Sequence, residues 1–474
     1  MSSEPLSKFT IDTELSPSYY RNLLKFLVEN YLKKDKLFGG IEMFEDDHTH
    51  FLTFSVADPG GRWSFDVEVE AGAPIQVKMS FKDALVPKEV VDKLKDDLFI
   101  SVQLFEEKAR RTTLYFTWVE GEQVIPERLS SKKNNMTYRL FSESMLLFYI
   151  VFISFSVVLF FILGPYTPIL LVIIQFALVL VSGKIIERVA DWQISERNPN
   201  VHILQYQLPI EDQRNFLEKF GKDAFAKIKK EIYDRTLAVG RPLDCETARE
   251  VLKKYELECS PESVSAKVVN LYAIVREGAE KFRLPMPKIV VSNTTVPNAA
   301  ASGPGPRFGV MLITTGLLMQ LEDDEILGVV GHELSHMKGR DTLAFFGLMS
   351  AEYILRVYIL WPLLLILGFF YLFIAFSMVY FIAKFFESKA DLESAARIGQ
   401  PKVLAEGLRK IGFLKLLYER APSYRFQEWI GFDPHPPIYF RVDRLERLKN
   451  PEKIRHPLLK SVKDNIEAFF SSLK

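Results

Sequence analysis

Two tracts of this chain carry almost no charge. Residues 145–183 contain none, and residues 343–383 contain one acid and one base, Glu352 and Arg356. Yet 25% of all 474 residues are charged. Tracts of that length cannot form a water-facing surface, so protein or lipid must cover them. Residues 145–163 read MLLFYIVFISFSVVLFFIL, and a transmembrane helix needs about 20 apolar residues. Gly164, Pro165 and Pro168 punctuate the run, and a second apolar run reaches Ser182. The pattern predicts a hairpin across a bilayer. The tract 343–383, as one helix, would run about 60 Å, twice the hydrocarbon thickness. It must fold back, with Trp361-Pro362 or Gly368 as the turn. Glu352 and Arg356 stand at the i,i+4 spacing of a helical ion pair. No apolar run precedes residue 145, so no secretory signal is expected.

Basic residues flank the tracts on one side. Lys132, Lys133 and Arg139 precede the first leg, and Lys184 and Arg188 follow the second. Lys338 and Arg340 precede the third, and Lys384 and Lys389 follow the fourth. The positive-inside rule then puts every soluble portion in the cytoplasm. The expectation is a multi-pass protein of the cell (plasma or inner) membrane, with both termini and the active site on the cytoplasmic side. The formal charge is zero, 60 basic against 60 acidic side chains, which argues against a nucleic-acid partner. The balance is a cancellation. Residues 1–144 hold 19 basic and 24 acidic side chains, and residues 384–474 hold 18 and 12. Cys245 and Cys259 form no CxxC motif and are read as reduced thiols.

Residues 1–140 read as an α+β domain of unassigned role. Ser16-Pro17 marks a helix start, and Leu23, Leu24, Leu27 and Tyr31 give an apolar stripe. Trp63, Phe65, Val67 and Val69 alternate with polar residues, as do Ile75, Val77, Met79 and Phe81, which predicts two half-buried strands. A helix is expected over 88–108 and a strand over 112–119. Residues 184–264 read as a charged, mostly helical linker. The glycine- and proline-rich stretch 302–309 lacks the Lys-Ser/Thr ending of a phosphate loop and predicts a turn before a strand at 309–314. His48, His50, His202 and His456 are read as solvated or structural.

The chemistry is concentrated in His332-Glu333-Leu334-Ser335-His336. On a helix, side chains at i and i+4 share a face, so His332 and His336 can grip one metal ion. Zinc favours nitrogen ligands at about 2.0–2.1 Å. Glu333 stands beside them as a general base. Asp323, Asp324 and Glu325 begin the segment, where a helix dipole favours anions. A catalytic zinc needs three protein ligands. The best third candidate is Glu387 in Glu387-Ser-Lys-Ala-Asp391, with Asp391 one turn on, able to accept the spare N–H of a ligating histidine.

HELSH followed by ESKAD, with apolar spans before and between, resembles the HtpX-like membrane zinc metallopeptidases, which are related to the CAAX prenyl proteases. Leu284-Pro-Met-Pro-Lys288, Pro297-Asn-Ala-Ala-Ala-Ser-Gly303, Thr314-Thr-Gly-Leu-Leu318 and Asp433-Pro-His-Pro-Pro437 with Arg441 are similar to further stretches of that family. Ala300 departs from it, standing where the family has Phe, and residues 1–140 have no counterpart in compact members. The resemblance implies a zinc metalloendopeptidase with one Zn2+ per chain. It implies His435 and Arg441 as donors to the tetrahedral oxygen, and Asn298 with its strand as the holder of the substrate backbone.

The expected fold is α+β with transmembrane helices. It combines a mainly helical zincin-type protease domain, bearing a small edge sheet, with the N-terminal α+β domain. The segments are 1–140, a transmembrane hairpin over 141–183, the linker 184–264, the protease core 265–342, an apolar helical hairpin over 343–383, and the C-terminal part 384–474 with the third ligand. The expected partners are polypeptide substrates, the lipid bilayer and, in an oligomer, further copies of the chain. The expected role is cleavage of membrane or misfolded proteins in quality control. The alternatives are prenyl-peptide processing and a non-catalytic membrane scaffold or chaperone that retains a zinc fold.

Overall fold

The computed structural model describes every residue except 1–5, 14, 16, 47–48, 82–85, 111–112, 125–145, 208–214, 217, 222, 258–263, 420 and 474. The chain divides into two units, Met1–Phe116 with Ile203–Lys267, and Thr117–His202 with Val268–Lys474. The segment expected as a linker is therefore shared between them. Lys132, Lys133, Arg139, His48 and Cys259 lie outside the described residues.

The first unit is built on five antiparallel strands. These are β1 (Leu6–Ile11), β2 (Phe38–Asp46), β3 (Thr49–Ala57), β4 (Ser64–Glu70) and β5 (Ile75–Phe81), in the order β1-β5-β4-β3-β2. Alternation decides the faces. Phe65, Val67 and Val69 of β4 are buried, as are Ile75, Val77 and Met79 of β5. Helix Tyr20–Asn30 buries Leu23, Leu24 and Leu27, and packs against β3 and against helix Lys88–Arg110. His50 lies on β3, 3.5 Å from Glu45. Helices Ala224–Arg235 and Cys245–Lys254 pack together in the same unit. Cys245 opens the second of these helices.

The remaining strands are β6 (Thr113–Val119), β7 (Trp192–Ile194), β8 (Asn200–Gln207), β9 (Val264–Asn270), β10 (Lys288–Ser292), β11 (Ala299–Ser302) and β12 (Val310–Thr314). The chain passes between the units within β6, β8 and β9. The second unit holds the sheet β11-β12-β10-β7. β10 and β12 run parallel, while β7 and β11 are antiparallel to their neighbours. β11 is an edge strand, and helix Asp323–Gly339 lies against it.

The apolar segments also belong to the second unit. Ser154–Val189 and Phe369–Ile398 are each long and apolar enough to cross a membrane. Asp341–Tyr358 and Trp361–Leu367 pass the same test as a pair, bent by 80°. The sequence predicts four legs, with the second tract turning once. Here that tract breaks twice, before Trp361 and at Gly368, whose φ is +56°. Such a φ costs a residue with a Cβ but not glycine.

Contacts at three levels show how helices Thr167–Val189 and Asp341–Tyr358 run side by side. At one end Gly183 and Arg340 both touch loop 303–308. Midway, the rings of Phe176 and Phe346 lie 5.7 Å apart. At the other end the Tyr358 hydroxyl donates to the Pro165 carbonyl. The helices are thus antiparallel over about 25 Å at 1.5 Å per residue, close to the hydrocarbon thickness of about 30 Å. Within the second, Arg356 binds Glu352 through two hydrogen bonds, at 2.8 and 3.3 Å.

Candidate metal centre

Helix Asp323–Gly339 starts where its sequence expects. Asp323, Asp324 and Glu325 fill its first turn, and Glu322 and Glu325 cap each other's backbone N–H. Arg340, not Gly339, closes it, in the left-handed region at φ +53°. Gly339 is needed for space instead. A Cβ there would stand 2.4 Å from both Asp341 Oδ1 and Lys389 Nζ. Gly331 serves the same end one residue before His332. A Cβ there would meet Ser394 Oγ at 2.6 Å and Ile398 Cγ1 at 2.8 Å. The helix carrying both histidines can therefore approach the helix carrying Glu387.

The result is a tight triangle. His332 Nε2 and His336 Nε2 are 3.1 Å apart, and each lies 3.3 Å from a Glu387 carboxylate oxygen. Ligands at about 2.05 Å in a tetrahedron lie about 3.3 Å from one another. The hydrogen bonds behind the rings settle what the triangle presents. His332 Nδ1 donates to Asp391 Oδ1 at 2.8 Å, and His336 Nδ1 donates to Asp341 Oδ2 at 2.9 Å. A carboxylate can only accept, so each Nδ1 carries a proton, and in the neutral ring each Nε2 keeps its lone pair. With neutral rings three acceptors therefore converge, and among the described residues nothing donates a hydrogen bond to the buried Glu387 Oε2. Only a cation satisfies such a site. Two imidazoles and a carboxylate suit zinc. Burial alone would push the His336 imidazole down. The Glu387 charge, the hydrogen bond to Asp341 and the Glu333 charge outweigh it and hold His336 well above its ordinary value. A dication would feel the same field.

Each orienting carboxylate has its own cation. Asp391 accepts Arg441 Nε at 2.8 Å and Arg441 Nη2 at 2.7 Å. Asp341 accepts Lys389 Nζ at 2.7 Å through both oxygens. Arg441 is buried, and although burial lowers its pKa, the Asp391 charge overrides this and raises it. The guanidinium that was expected to face the tetrahedral oxygen is thus turned to Asp391. Glu419 fixes the helix that bears it. Its two oxygens accept the N–H groups of Ile438 and Tyr439 at 2.9 Å each, at the start of helix Ile438–Glu446.

Glu333, half-buried, accepts the backbone N–H of Ala301 in β11 at 2.7 Å. His435 Nε2 lies 3.3 Å from Glu387 Oε2, with 46% of its side chain exposed. Asp433 Oδ1 accepts both the His435 backbone N–H and its Nδ1–H at 2.9 Å. That leaves Nε2 facing the triangle. Lys384, fully buried one turn before Glu387, donates to the carbonyls of Gly431 and Asp433 and ties down the same loop. Asn298 is held by its backbone, which accepts from Thr314 N at 3.0 Å and donates to Thr314 Oγ1 at 2.8 Å.

Sequence reasoning missed Asp341, Lys389, Lys384 and Glu419. Asp341 had one visible signal, a carboxylate just beyond the end of the HELSH helix. His202 is buried on β8, and neither ring nitrogen has a hydrogen-bond partner among the described residues.

The profile of peptidase family M48 matches residues 265–449. A curated protease HtpX homologue from Desulforapulum autotrophicum is 32% identical over 231 residues, covering 41% of this chain and 73% of that protein. One from Methanopyrus kandleri is 35% identical over 222 residues, covering 38% and 67%. One from Thermodesulfovibrio yellowstonii is 47% identical over 78 residues, and the match spans 16% of this chain and 28% of that protein.

Proposed function

Because this chain belongs to the M48 metallopeptidase family, alongside the HtpX homologues, we propose that it is a membrane-integrated zinc endopeptidase. Its substrates are membrane or misfolded proteins, cut on the cytoplasmic side. The observation that carries this reading is the convergence of three acceptor atoms at 3.1–3.3 Å, with Glu333 on the same helix. His332, His336 and Glu387 would hold one zinc ion, which when bound polarises the scissile carbonyl and acidifies water.

The chain's own residues do the rest. Glu333 takes the proton of the attacking water and hands it to the leaving amine. Ala301 N–H, at 2.7 Å, aims that carboxylate before substrate arrives. With Nδ1–H held by Asp433, His435 offers a donor for charge that develops on the carbonyl oxygen when its Nε2 is also protonated, as the imidazolium. Asp391 and Asp341 fix the ring tautomers of the ligands, and Arg441 and Lys389 hold those carboxylates in turn. Arg441 is thereby a positioning residue. Ala301 N–H points away from β12. Alternation then gives Ala299 an outward backbone as well, so β11, with Asn298 at its start, can pair with an extended peptide.

Glu333→Gln tests the reading. It should keep zinc and lose proteolysis. Full cleavage by that variant would remove Glu333 as the base. Protein that binds no zinc and cleaves nothing would favour the scaffold alternative. The cytoplasmic side rests on basic residues beside the apolar tracts. Protease protection of sealed vesicles tests that orientation.

A further inference from the structure

Loop 303–309 follows the edge strand β11 and stands where two apolar tracts end. Gly183 is the last residue of the first tract, and Lys184 is the first charge after it. A Cβ on Gly183 would stand 3.3 Å from the Phe308 carbonyl oxygen and 3.1 Å from Val310. One residue earlier, Ser302 Oγ donates to Ser182 Oγ at 2.8 Å. Arg340 precedes the second tract by three residues, and a Cβ on Gly305 would lie 3.5 Å from its Nε. Two independent ends of apolar sequence therefore mark one level, and the loop lies at it.

The surface there has the chemistry of a lipid boundary. Phe308 is 73% exposed. Lys184, Arg307 and Arg340 are exposed, and none forms an ion pair with a carboxylate among the described residues. An aromatic ring flanked by unpaired cations, at the end of a span, matches the interface between acyl chains and headgroups.

We propose that loop 303–309 is an interfacial anchor, in which Phe308 enters the headgroup–acyl boundary while Lys184, Arg307 and Arg340 bind the phosphates of anionic phospholipids. This rests on the reading of the chain as a membrane protease and narrows its substrates. β11 runs directly into the anchor. Glu387 lies four residues beyond Ala383, the end of the second tract, which is about 6 Å of helix rise. The bonds it cuts therefore lie within a few residues of the lipid, in segments just emerging from the bilayer.

The test uses the whole protein in nanodiscs. Phe308→Trp adds one fluorophore to the five native tryptophans. Its extra emission should be quenched by lipids brominated high on the acyl chain and spared by aqueous acrylamide. The opposite pattern overturns the anchor. Second, cleavage of a membrane-tethered reporter should be faster in phosphatidylcholine with phosphatidylglycerol than in phosphatidylcholine alone. Each cation near an anionic surface contributes about fivefold. The variant Lys184→Gln/Arg307→Gln/Arg340→Gln should lose that dependence and still hydrolyse a short soluble peptide at the wild-type rate. A dependence that survives in the variant overturns the role of the cations. If the wild type cleaves no reporter in either lipid, the protease reading fails, and quenching at position 308 still decides the anchor.

Discussion

Asp341 and Lys389 form an ion pair at 2.7 Å, although 48 positions separate them and the second apolar tract lies between. Asp341 begins the outgoing helix, and Lys389 sits on the returning one. The same Asp341 carboxylate accepts the Nδ1–H of His336 at 2.9 Å. The apolar excursion thus leaves from the candidate metal centre and comes back to it, and its two ends are registered on the hydrogen bond of a proposed ligand, His336.

Asp341→Asn should therefore weaken zinc binding without unfolding the protein. The amide can still accept from His336, but the charge is gone and Lys389 loses its partner. Carboxylates that orient a ligating histidine are commonly worth about 10–100-fold in metal affinity. Competition with a chromophoric chelator measures this. Wild-type affinity in the variant would mean that the Asp341–His336 bond does not tune the ligand.

Arg441 separates two roles. If it acts through Asp391, Arg441→Met should lower zinc affinity much as Asp391→Asn does, and the double variant should be little worse than either single one. Residues within one network are non-additive in this way. If instead Arg441 stabilises the tetrahedral oxygen directly, kcat should fall with zinc affinity intact. Chelator competition alongside kcat and KM for the three variants distinguishes the two.

How much of this was legible in the sequence follows from the range of the interactions involved. His332, Glu333 and His336 lie within one turn and a half of helix, so their spacing alone predicts a shared face. Glu387 and Asp391 could be paired with them because i,i+4 carboxylates again share a face. The strands at 64–70 and 75–81 were visible because alternation is local. Asp341 with Lys389, and Glu419 with the start of helix Ile438–Glu446, could not be read. Each joins segments far apart in sequence, and no local pattern distinguishes those side chains from solvated ones. Arg441 was named from resemblance, but its direction depends on a bidentate bond that only the packed helices create. Trp361-Pro362 and Gly368 each read as a possible turn, and both breaks form, since a helix can change direction at each.

Asp433 gives a pH dependence outside the membrane segments. Burial pushes its carboxyl up, but the hydrogen bond from His435 and the charges of His435 and Lys415 outweigh this and hold it well below the usual carboxylate range. A depressed carboxyl pKa stabilises the fold above the unfolded value, about 3.9, and that contribution is lost as pH falls through the folded value. Asp433→Asn should therefore melt below wild type at about pH 5. The margin should shrink below about pH 4. Melting curves of both proteins across that range check it. A margin that widened with acid would reverse the sign and refute the argument.

Two glycines with opposite surroundings make the sharpest packing test. Gly331 and Gly347 both lie inside helices, where alanine is intrinsically favoured by up to about 1 kcal/mol. Among the described residues nothing stands within 4 Å of a Cβ on Gly347, so Gly347→Ala should leave stability unchanged or raise it. At Gly331 the added carbon would meet Ser394 Oγ at 2.6 Å and Ile398 Cγ1 at 2.8 Å. Ser394 cannot simply turn away, because its hydroxyl donates to the Gly328 carbonyl at 2.7 Å within the same contact. The helix bearing His332 and His336 must then move off the helix bearing Glu387. Overpacking of this kind costs about 1–3 kcal/mol, which outweighs the gain in helix propensity. Because the displaced helices hold the three ligands, Gly331→Ala should also loosen zinc, whereas Gly347→Ala should not. Thermal melts and chelator competition on both variants give four readings. If Gly331→Ala were as stable as wild type and bound zinc as well, close approach of these two helices would not be what assembles the triangle.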